Sequence, residues 1–216
     1  MKKYFHLHIA IYLFVIILAS GCAQQVGPTG GPKDESPPKI TGSFPENFST
    51  GYNGNKIKLR FDEFVQLKDL NSKLIISPPL KETPEFRIKG KTLELSFSDT
   101  LYPNTTYNFQ FGDGIVDITE GNPLDSNLFV FSTGAQIDSL FVQGTISNAF
   151  NHSAEKQVMV MLYDKFIDSL PYSSTPIYFT KTKEDGSFRI KYMKEGKYKL
   201  FALKDGNGNY FFDMPD

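Results

Sequence analysis

The sequence predicts an all-β protein with two consecutive β-sandwich domains, which follow a signal peptide and a flexible tether. Three observations support this fold class. The 216 residues include 20 Phe and 11 Tyr, an aromatic content too high for a disordered chain. Short stretches rich in β-branched and aromatic residues recur along most of the chain, and Gly, Pro, Asn and Asp separate them. Short strands and turn residues at such spacing are typical of sandwiches.

Residues 1–21 are predicted to be a lipoprotein signal peptide. Lys2 and Lys3 precede an apolar stretch that ends at Leu18, and small residues follow it. This order of basic, apolar and small residues is that of a secretory signal. The uninterrupted apolar part, 9–18, is shorter than the ~20 residues that a membrane-spanning helix needs.

Cys22 is the single Cys of the chain, so the sequence excludes an internal disulfide and a zinc site built on several Cys residues. It directly follows Ala19, Ser20 and Gly21. This segment resembles the lipobox of bacterial lipoproteins, although Leu18 lies one position before the usual place. The resemblance implies that Cys22 is the lipid attachment residue and that acyl chains such as palmitate hold the mature protein on the membrane. The alternative is a plain secretory signal with an incidental Cys.

Residues 22–36 are predicted to be a flexible tether. From 23 to 38 the sequence is rich in Gly and Pro, and Val26 is its only sizeable apolar residue. Such a stretch cannot contribute to a core. Fully extended, it spans at most about 50 Å, so the first domain is expected to stay close to the membrane.

The first predicted domain spans 37–134. Its strands are predicted near 39–44, 56–61, 73–77, 85–88, 92–97, 106–111 and 128–132. In the second of these, Ile57, Leu59 and Phe61 alternate with charged residues, which places one face on a core and one in water. Residues 64–70 are the only segment expected to form a helical turn or two.

Residues 37–133 resemble the bacterial immunoglobulin-like domain first described in S-layer proteins. The resemblance is carried by motifs in the family's order, which are Pro37-Pro38-Lys39-Ile40, Ser43-Phe44-Pro45, Ile57-Lys58-Leu59-Arg60-Phe61-Asp62-Glu63, Leu101-Tyr102-Pro103-Asn104-Thr105-Thr106-Tyr107, Asp117-Ile118-Thr119-Glu120-Gly121-Asn122 and Phe129-Val130-Phe131-Ser132-Thr133. Tyr107 follows a turn, as a tyrosine-corner residue does, and its hydroxyl is expected to tie back to the preceding loop.

The second predicted domain spans 138–216, with the boundary between 133 and 138. Its strands are predicted near 141–147, 158–163, 177–181, 187–191 and 197–204, and Asp185-Gly186 is a hairpin signal. The segments 142–146, 185–188 and 196–200 resemble the carboxypeptidase regulatory-like or transthyretin-like β-sandwich of outer-membrane proteins. Because the chain stops shortly after a strand, this domain is expected to be truncated.

An oxygen-rich segment near the end of the chain has the ligand spacing of a calcium loop. Its candidate ligands are Asp205, Asn207, Asn209, Asp213 and Asp216. Calcium is therefore the only cofactor that the sequence suggests, and the alternative is a tight Asn-Gly turn between two strands. A second oxygen-rich loop, 113–117 with Asn122 and Asp125, is a weaker candidate because Ile115 and Val116 have the character of a short buried crossing.

Three tripeptides resemble the Asp-Ser/Thr-apolar acceptor of periplasmic O-glycosylation in Bacteroidetes. Their hydroxyl residues are Thr100, Ser139 and Ser169. Matches to three residues arise easily by chance, so these positions are predicted acceptors only by resemblance.

The sequence predicts that the protein is not an enzyme. His152 is the only His beyond the signal peptide, so no nucleophile and base can be paired on standard grounds. Asp62 and Glu63 are adjacent on a strand and point to opposite faces. The net charge of −1 offers no basic surface for nucleic acid at the level of the whole chain.

The arrangement of Cys-linked tether, Ig-like domain and second sandwich resembles lipoproteins of the Bacteroidetes type. We therefore expect a non-enzymatic lipoprotein of the cell envelope, anchored in the outer membrane and facing the periplasm or the cell surface, that serves as a structural or binding module. The membrane is its expected partner, together with an envelope protein or a glycan. Two alternatives remain: these domains are spacers of a longer envelope enzyme or glycan-handling protein, or the protein is a surface adhesin.

Overall fold

The computed structural model describes residues 31–125, 127–207 and 209–213. Two compact units make up the chain, Met1–Asp34 and Glu35–Asp216. All the strands described below lie in the second unit. Both predicted sandwich domains therefore lie within one compact unit.

The first sandwich is the part of the chain from β1 to β9. Its elements in chain order are β1 (Ile40–Phe44), β2 (Lys56–Phe61), β3 (Val65–Leu67), α1 (Leu70–Lys73), β4 (Ile75–Ser77), β5 (Glu85–Lys89), β6 (Thr92–Ser96), β7 (Thr106–Gln110), β8 (Ile115–Asp117) and β9 (Leu128–Ser132). They form a four-stranded sheet of order β1-β2-β6-β5, a three-stranded sheet of order β4-β7-β9 and the pair β3-β8. All the strand pairs are antiparallel.

The core of the first sandwich lies between the two larger sheets. The alternating apolar side chains of β2 and β6 meet the aromatic side chains of β7 and β9, and all are buried: Ile57, Leu59, Phe61, Leu93, Leu95, Tyr107, Phe109, Phe129 and Phe131. The rings stack or meet edge to edge, as between Tyr107 and Phe131 at 5.6 Å. The aromatic content seen in the sequence is thus concentrated where the two sheets face each other.

Residues 47–52 lie in the connection between β1 and β2 and hydrogen bond to the second sheet. Phe48 N donates to Val130 O (2.7 Å), and Tyr52 N donates to Ser132 O (3.0 Å). In the other direction, Val130 N donates to the side-chain oxygen of Asn47 (2.9 Å). This segment therefore pairs with the edge of β9 that β7 leaves open.

The prediction of a helical turn at 64–70 is wrong. Residues Val65–Leu67 form β3, which pairs with β8, and the four-residue helix α1 begins only at Leu70. The segment is too short to show alternation by itself, and its partner lies some fifty residues further along the chain. Tertiary pairing therefore decides its conformation.

The second sandwich is the part of the chain from β10 onwards. Its elements are β10 (Leu140–Thr145), β11 (Met159–Tyr163), α2 (Leu170–Ser173), β12 (Tyr178–Lys181), β13 (Ser187–Met193) and β14 (Lys199–Leu203). The pair β10-β13 faces a three-stranded sheet of order β12-β11-β14. One core cluster lies between the sheets and includes Val160, Leu162, Tyr178, Phe188 and Ile190.

Strand β11 is buried on both faces. Val160 and Leu162 point into the cluster between the sheets, while Met159, Met161 and Tyr163 join a second cluster on the opposite face. Leu170 of α2, Phe179 of β12 and partly buried residues such as Ile75 and Tyr210 cover that opposite face. The continuous apolar sequence of β11 is what such double burial requires.

The first sandwich supplies part of this cover, so the two sandwiches pack against each other. Phe179 N donates to Ser77 Oγ at 3.4 Å, and the rings of Phe48 and Tyr192 lie 6.0 Å apart. The outward face of the β4-β7-β9 sheet is consequently buried, although it carries several polar side chains beside the apolar Ile75 and Val130: Ser77, Thr106, Asn108 and Ser132.

The fold class is confirmed, and every predicted strand is present with both ends within two residues of the prediction. Strands β3 and β8 are additional. The strands of the two sandwiches fall within the predicted domains 37–134 and 138–216. Because the two sandwiches contact each other, it stays a prediction that these domains are separate folding units.

Candidate functional site

The predicted site residues fall in three regions of the chain. Cys22, the predicted lipid attachment residue, lies outside the described residues, as does Asp216 of the predicted calcium loop. The remaining members of that loop and the three glycosylation candidates are described.

The oxygen-rich segment at 205–213 brings its side chains close to one another. The amide nitrogen of Asn207 lies 2.7 Å from Asp213 Oδ2, and that of Asn209 lies 3.3 Å from both oxygens of Asp213. Asp205 accepts hydrogen bonds from the backbone N–H of Asn207 (3.2 Å) and of Tyr210 (2.9 Å). These side-chain oxygens therefore accept hydrogen bonds that stabilise the turn.

Tyr210 ties this segment to the second sandwich. It adopts φ 68°, the left-handed conformation for which a calcium loop would use Gly at this position. Its ring packs edge-on against Phe179 at 4.8 Å, and burial raises the pKa of its hydroxyl. Among the described residues, no three His, Cys, Asp or Glu side chains are grouped as a metal site would need. Calcium binding by this loop stays a prediction.

The second oxygen-rich loop is organised around Asp117, which is buried. Oδ1 accepts from the backbone N–H of Glu120 (2.6 Å) and of Gly121 (2.9 Å), and Oδ2 accepts from that of Asn122 (2.9 Å). Burial acts to raise the pKa of Asp117, but the backbone donors together hold this pKa below its ordinary value. The carboxylate therefore closes a turn, and nearby Asp113 pairs instead with Lys73 at 3.0 Å.

The three glycosylation candidates, Thr100, Ser139 and Ser169, are all exposed. The Asp that precedes each hydroxyl residue is held by a neighbouring group. Asp99 accepts from Lys81 N (2.6 Å), Asp138 accepts from the Thr106 hydroxyl (2.8 Å), and Asp168 contacts the Lys199 ammonium. The hydroxyls are thus accessible while their Asp neighbours are fixed.

The residues that the sequence set aside as catalytic candidates are not brought together. His152 is exposed in a polar loop with φ 56°. Asp62 accepts from the backbone N–H of Lys39 at 2.8 Å, which ties the start of β1 to the end of β2. These side chains thus serve local structure.

Two of the clefts where the sandwiches meet are relevant to binding, and sequence reasoning found neither. The first, here called the aromatic cleft, has a volume of about 760 Å³. Its walls include Tyr102 and Pro103 of the first sandwich and Phe166, Tyr178 and Tyr198 of the second. Burial is the main reason why the pKa of Tyr198 rises to about 12.

The second, here called the basic cleft, has a volume of about 470 Å³. The first sandwich contributes amide side chains from β7, and the second contributes cationic side chains from β12 and β13 and from the turn between them. The polar members include Asn108, Gln110, Asn127, Thr180, Lys181, Lys183, Arg189 and Lys191. In the sequence, the cationic side of this cleft is visible as basic residues that alternate with apolar ones in 187–193. The amide side chains on the other side of the cleft lie about eighty residues earlier in the chain.

Across the described parts of the chain, no helix has the length and apolar character needed to traverse a membrane.

Comparison with known proteins gives one family. Residues 34–133 match the bacterial Ig-like domain family. No curated protein matches the chain.

Several solved structures are similar at low identity. A crystal structure of the bacterial S-layer protein SbsC matches with 16% identity and a TM-score of 0.32 over 61% of this chain and 21% of that chain. Domains 1–6 of the same protein match with 14% identity and a TM-score of 0.32 over 80% of this chain and 33% of that chain. An L,D-transpeptidase from Mycobacterium smegmatis matches with 14% identity and a TM-score of 0.31 over 68% of this chain and 77% of that chain. The chain thus spans a third or less of these two S-layer structures.

Proposed function

We propose, from the bacterial Ig-like domain at residues 34–133, that this chain is a non-enzymatic, lipid-anchored protein of the cell envelope that serves as a structural or binding module. The single observation that carries the proposal is that this domain packs directly on a second β-sandwich. Their shared boundary buries polar side chains that hydrogen bond across it, such as Ser77 with the Phe179 N–H.

This packing suits a module that presents surfaces at a fixed geometry. Isolated domains on a flexible linker bury little area between them and reorient freely. Here Asp138, at the connection, both donates to and accepts from the Thr106 side chain at 2.8 Å. We infer that the two sandwiches act together and that the clefts between them are the surfaces available for a ligand.

Lipid anchoring rests on the sequence around Cys22. A thioether-linked diacylglyceryl group, often with an acyl chain on the new N-terminus, would hold the protein stably, whereas a single chain would not. The outer membrane is the proposed location. The Gly/Pro-rich segment that follows would keep the sandwiches within about 50 Å of the lipid.

Intact-mass spectrometry of protein extracted from membranes tests this anchoring. The expected species begins at Cys22 and carries the mass of two or three acyl chains. A Cys22→Ser variant is expected to lose this added mass and leave the membrane fraction, while a Ser20→Ala control keeps both. Wild-type protein recovered unacylated from the soluble fraction would contradict the proposal.

The same spectra test glycosylation. We propose Thr100, Ser139 and Ser169 as O-glycan acceptors because their side chains are exposed. The expected result is additional hexose-type mass that the triple variant Thr100→Val, Ser139→Ala, Ser169→Ala lacks. A wild-type mass equal to the lipidated polypeptide alone rejects these sites.

Two alternatives predict different outcomes. If the protein is a surface adhesin, protease added to intact cells removes the sandwiches, whereas a periplasm-facing protein survives. If these domains are spacers of a longer envelope enzyme or glycan-handling protein, the native polypeptide in membranes is larger than this chain.

A further inference from the structure

We propose that the basic cleft binds an acidic glycan, that is, a hydroxyl-rich saccharide bearing carboxylate groups. This inference rests on the proposed function in one respect: the cell envelope is where the protein meets such a glycan. Binding itself depends on the cleft and is measured separately from anchoring.

The first observation is the unbalanced positive charge of the cleft. Lys181, Lys183, Arg189 and Lys191 all line it, although the whole chain has a net charge of −1. Across 31–125, 127–207 and 209–213, none of these four side chains takes part in an ion pair. Concentrated cations in a cleft attract an anion more strongly than scattered surface charges do.

The acidic groups near this cluster include Glu184, which pairs with Lys156 at 2.9 Å, and Asp205, which lines a different pocket together with Lys181. Asp185 is close enough to Lys183 to feel its charge, but its Oδ1 accepts the Ser187 N–H at 2.9 Å within the β12–β13 turn. Asp185 is not among the residues that line the cleft. The charge inside the cleft is therefore positive.

The second observation is a pair of buried polar side chains that line the cleft. Thr180 is 5% exposed and lines the cleft. Asn108 is 2% exposed; its amide nitrogen donates to Ser77 O at 3.1 Å, and its oxygen accepts from Gln110 at 3.0 Å. A hydroxyl both donates and accepts hydrogen bonds, so the Thr180 side chain is suited to a water molecule or a ligand hydroxyl in the cleft.

Two aromatic contacts hold the rim in place. The Arg189 guanidinium lies 4.0 Å from the centre of the Phe141 ring, which orients its donors. Tyr192 lines the cleft and rests on Phe48 of the first sandwich, with ring centres 6.0 Å apart. An aromatic side chain beside cations and amides suits a sugar ring that carries a carboxylate, and the volume is within the range of small-ligand sites.

Isothermal titration calorimetry with detergent-solubilised full-length protein tests the proposal. The probe is a short oligogalacturonate, and the matched control ligand is the same oligomer with its carboxylates methyl-esterified. The acidic oligomer is expected to bind about tenfold or more tightly than the ester, because charge-assisted hydrogen bonds to Arg and Lys are lost in the ester. Equal affinity for both oligomers, or binding of neither, overturns the proposal.

Variants locate the binding. The double variant Arg189→Gln, Lys191→Gln is expected to weaken binding of the acidic oligomer by about tenfold or more. The control double variant Lys56→Gln, Arg60→Gln removes the same charge from the exposed face of β2 and is expected to leave the affinity unchanged. Equal losses in the two variants would mean that net charge alone attracts the ligand, which overturns the site.

A third variant and a third ligand complete the test. Thr180→Val keeps the side-chain shape, so it is expected to weaken binding while the melting temperature stays within a degree or two of wild type. Vesicles containing phosphatidylglycerol that outcompete the oligomer would assign the cleft to lipid headgroups and overturn the glycan proposal. If wild-type protein proves to be unacylated but binds the acidic oligomer, the proposed anchoring is rejected and the proposed glycan site is supported.

Discussion

Tyr107 shows how one side chain joins core and loop in the first sandwich. Its ring is fully buried between the sheets, and its hydroxyl accepts the Tyr102 N–H at 2.9 Å. The tyrosine-corner role predicted from the sequence is thereby confirmed. Burial is the main cause that raises the pKa of Tyr107 from 10 to about 12.

We predict that Tyr107→Phe lowers the free energy of unfolding by about 1–2 kcal/mol, because the Tyr102 N–H loses its acceptor. Urea denaturation followed by fluorescence or circular dichroism measures this change. Tyr102→Phe is the control, since the Tyr102 side chain is exposed and its loss should change little. Equal effects of the two variants would show that the hydroxyl contact adds no stability.

The raised pKa of Tyr107 also sets a pH dependence. The unfolded state loses the phenol proton from about pH 10, while the folded state keeps it until about pH 12. The contribution to stability is therefore complete below pH 10 and is lost as the pH rises towards 12. Tyr107→Phe is expected to reduce this fall only in part, because the pKa values of Tyr163 and Tyr198 also rise to about 12. Burial raises the pKa values of Tyr178, Tyr192 and Tyr210 as well.

Asp117 sets the acid side of the stability profile. Its folded-state pKa lies below the ordinary value, so its contribution is present above the ordinary pKa and is lost as the pH falls through the folded-state pKa. We predict that Asp117→Asn lowers the melting temperature by several degrees at neutral pH, because one oxygen that accepts a backbone N–H becomes a donor. The difference from wild type should shrink as the pH falls below 4. Asp125→Asn is the control, and a constant difference across this range would contradict the assignment.

Among the elements, β7 carries the contact between the sandwiches. Its inward side chains belong to the first core, and its outward Thr106 and Asn108 are buried by the second sandwich. Thr106 Oγ1 both accepts from the Asp138 N–H and donates to the Asp138 carboxylate. A sequence pattern of alternating polar residues would place these positions in water.

We predict that Thr106→Val destabilises the protein by about 1–3 kcal/mol, although Val favours strands, because the part-buried Asp138 N–H loses its acceptor. Thr92→Val on β6 is the control, since the Thr92 side chain forms no hydrogen bond with any of the residues that the structure describes and the substitution should be neutral or stabilising. Chemical denaturation measures both. A neutral Thr106→Val would mean that water enters the junction and replaces the hydroxyl.

Calcium binding by the loop at 205–213 stays a prediction. If it binds calcium, titration calorimetry with the metal alone shows uptake by wild type that Asp205→Asn or Asp213→Asn weakens at least several-fold. Asp164→Asn, an exposed residue elsewhere in the second sandwich, is the control. Absence of uptake by wild type favours the alternative, an Asn-Gly turn whose Tyr210 secures the end of the chain against Phe179.

At the scale of the whole molecule, the packing of the two sandwiches predicts one cooperative unfolding transition. Phe179 contributes to the core of the second sandwich and contacts Ser77 of the first. We expect Phe179→Ala to lower the free energy of unfolding by about 3–5 kcal/mol for the entire protein. Phe150→Ala is the control because this side chain is 99% exposed.

Differential scanning calorimetry makes this measurement. A single transition whose calorimetric and van't Hoff enthalpies agree is the expected result. Two resolved transitions, with only one shifted by Phe179→Ala, would show that the sandwiches fold independently. That outcome would support the division at 37–134 and 138–216 as separate folding units.

Local pattern predicted most of the fold. The strands β2 and β6 were found because Ile57, Leu59, Leu93 and Leu95 recur at every second position, and one face of each strand is in the core. The sequence did not predict β3, because three residues are too few to show an alternation of apolar and polar side chains. The sequence did not predict the clefts, because residues such as Asn108 and Arg189 line the same cleft only once β7 and β13 have come together.

The sequence by itself determined the all-β class, the positions of all strands except β3 and β8, and the tyrosine corner, since each follows from residues adjacent in the chain or from a matching family motif. It also carries the only argument for the lipid at Cys22. Tertiary structure alone decided that the outward face of β4-β7-β9 is buried and that basic and amide side chains share a cleft. The physical reason is that a strand's alternation states which side chains share a face but not whether that face meets water or another sheet.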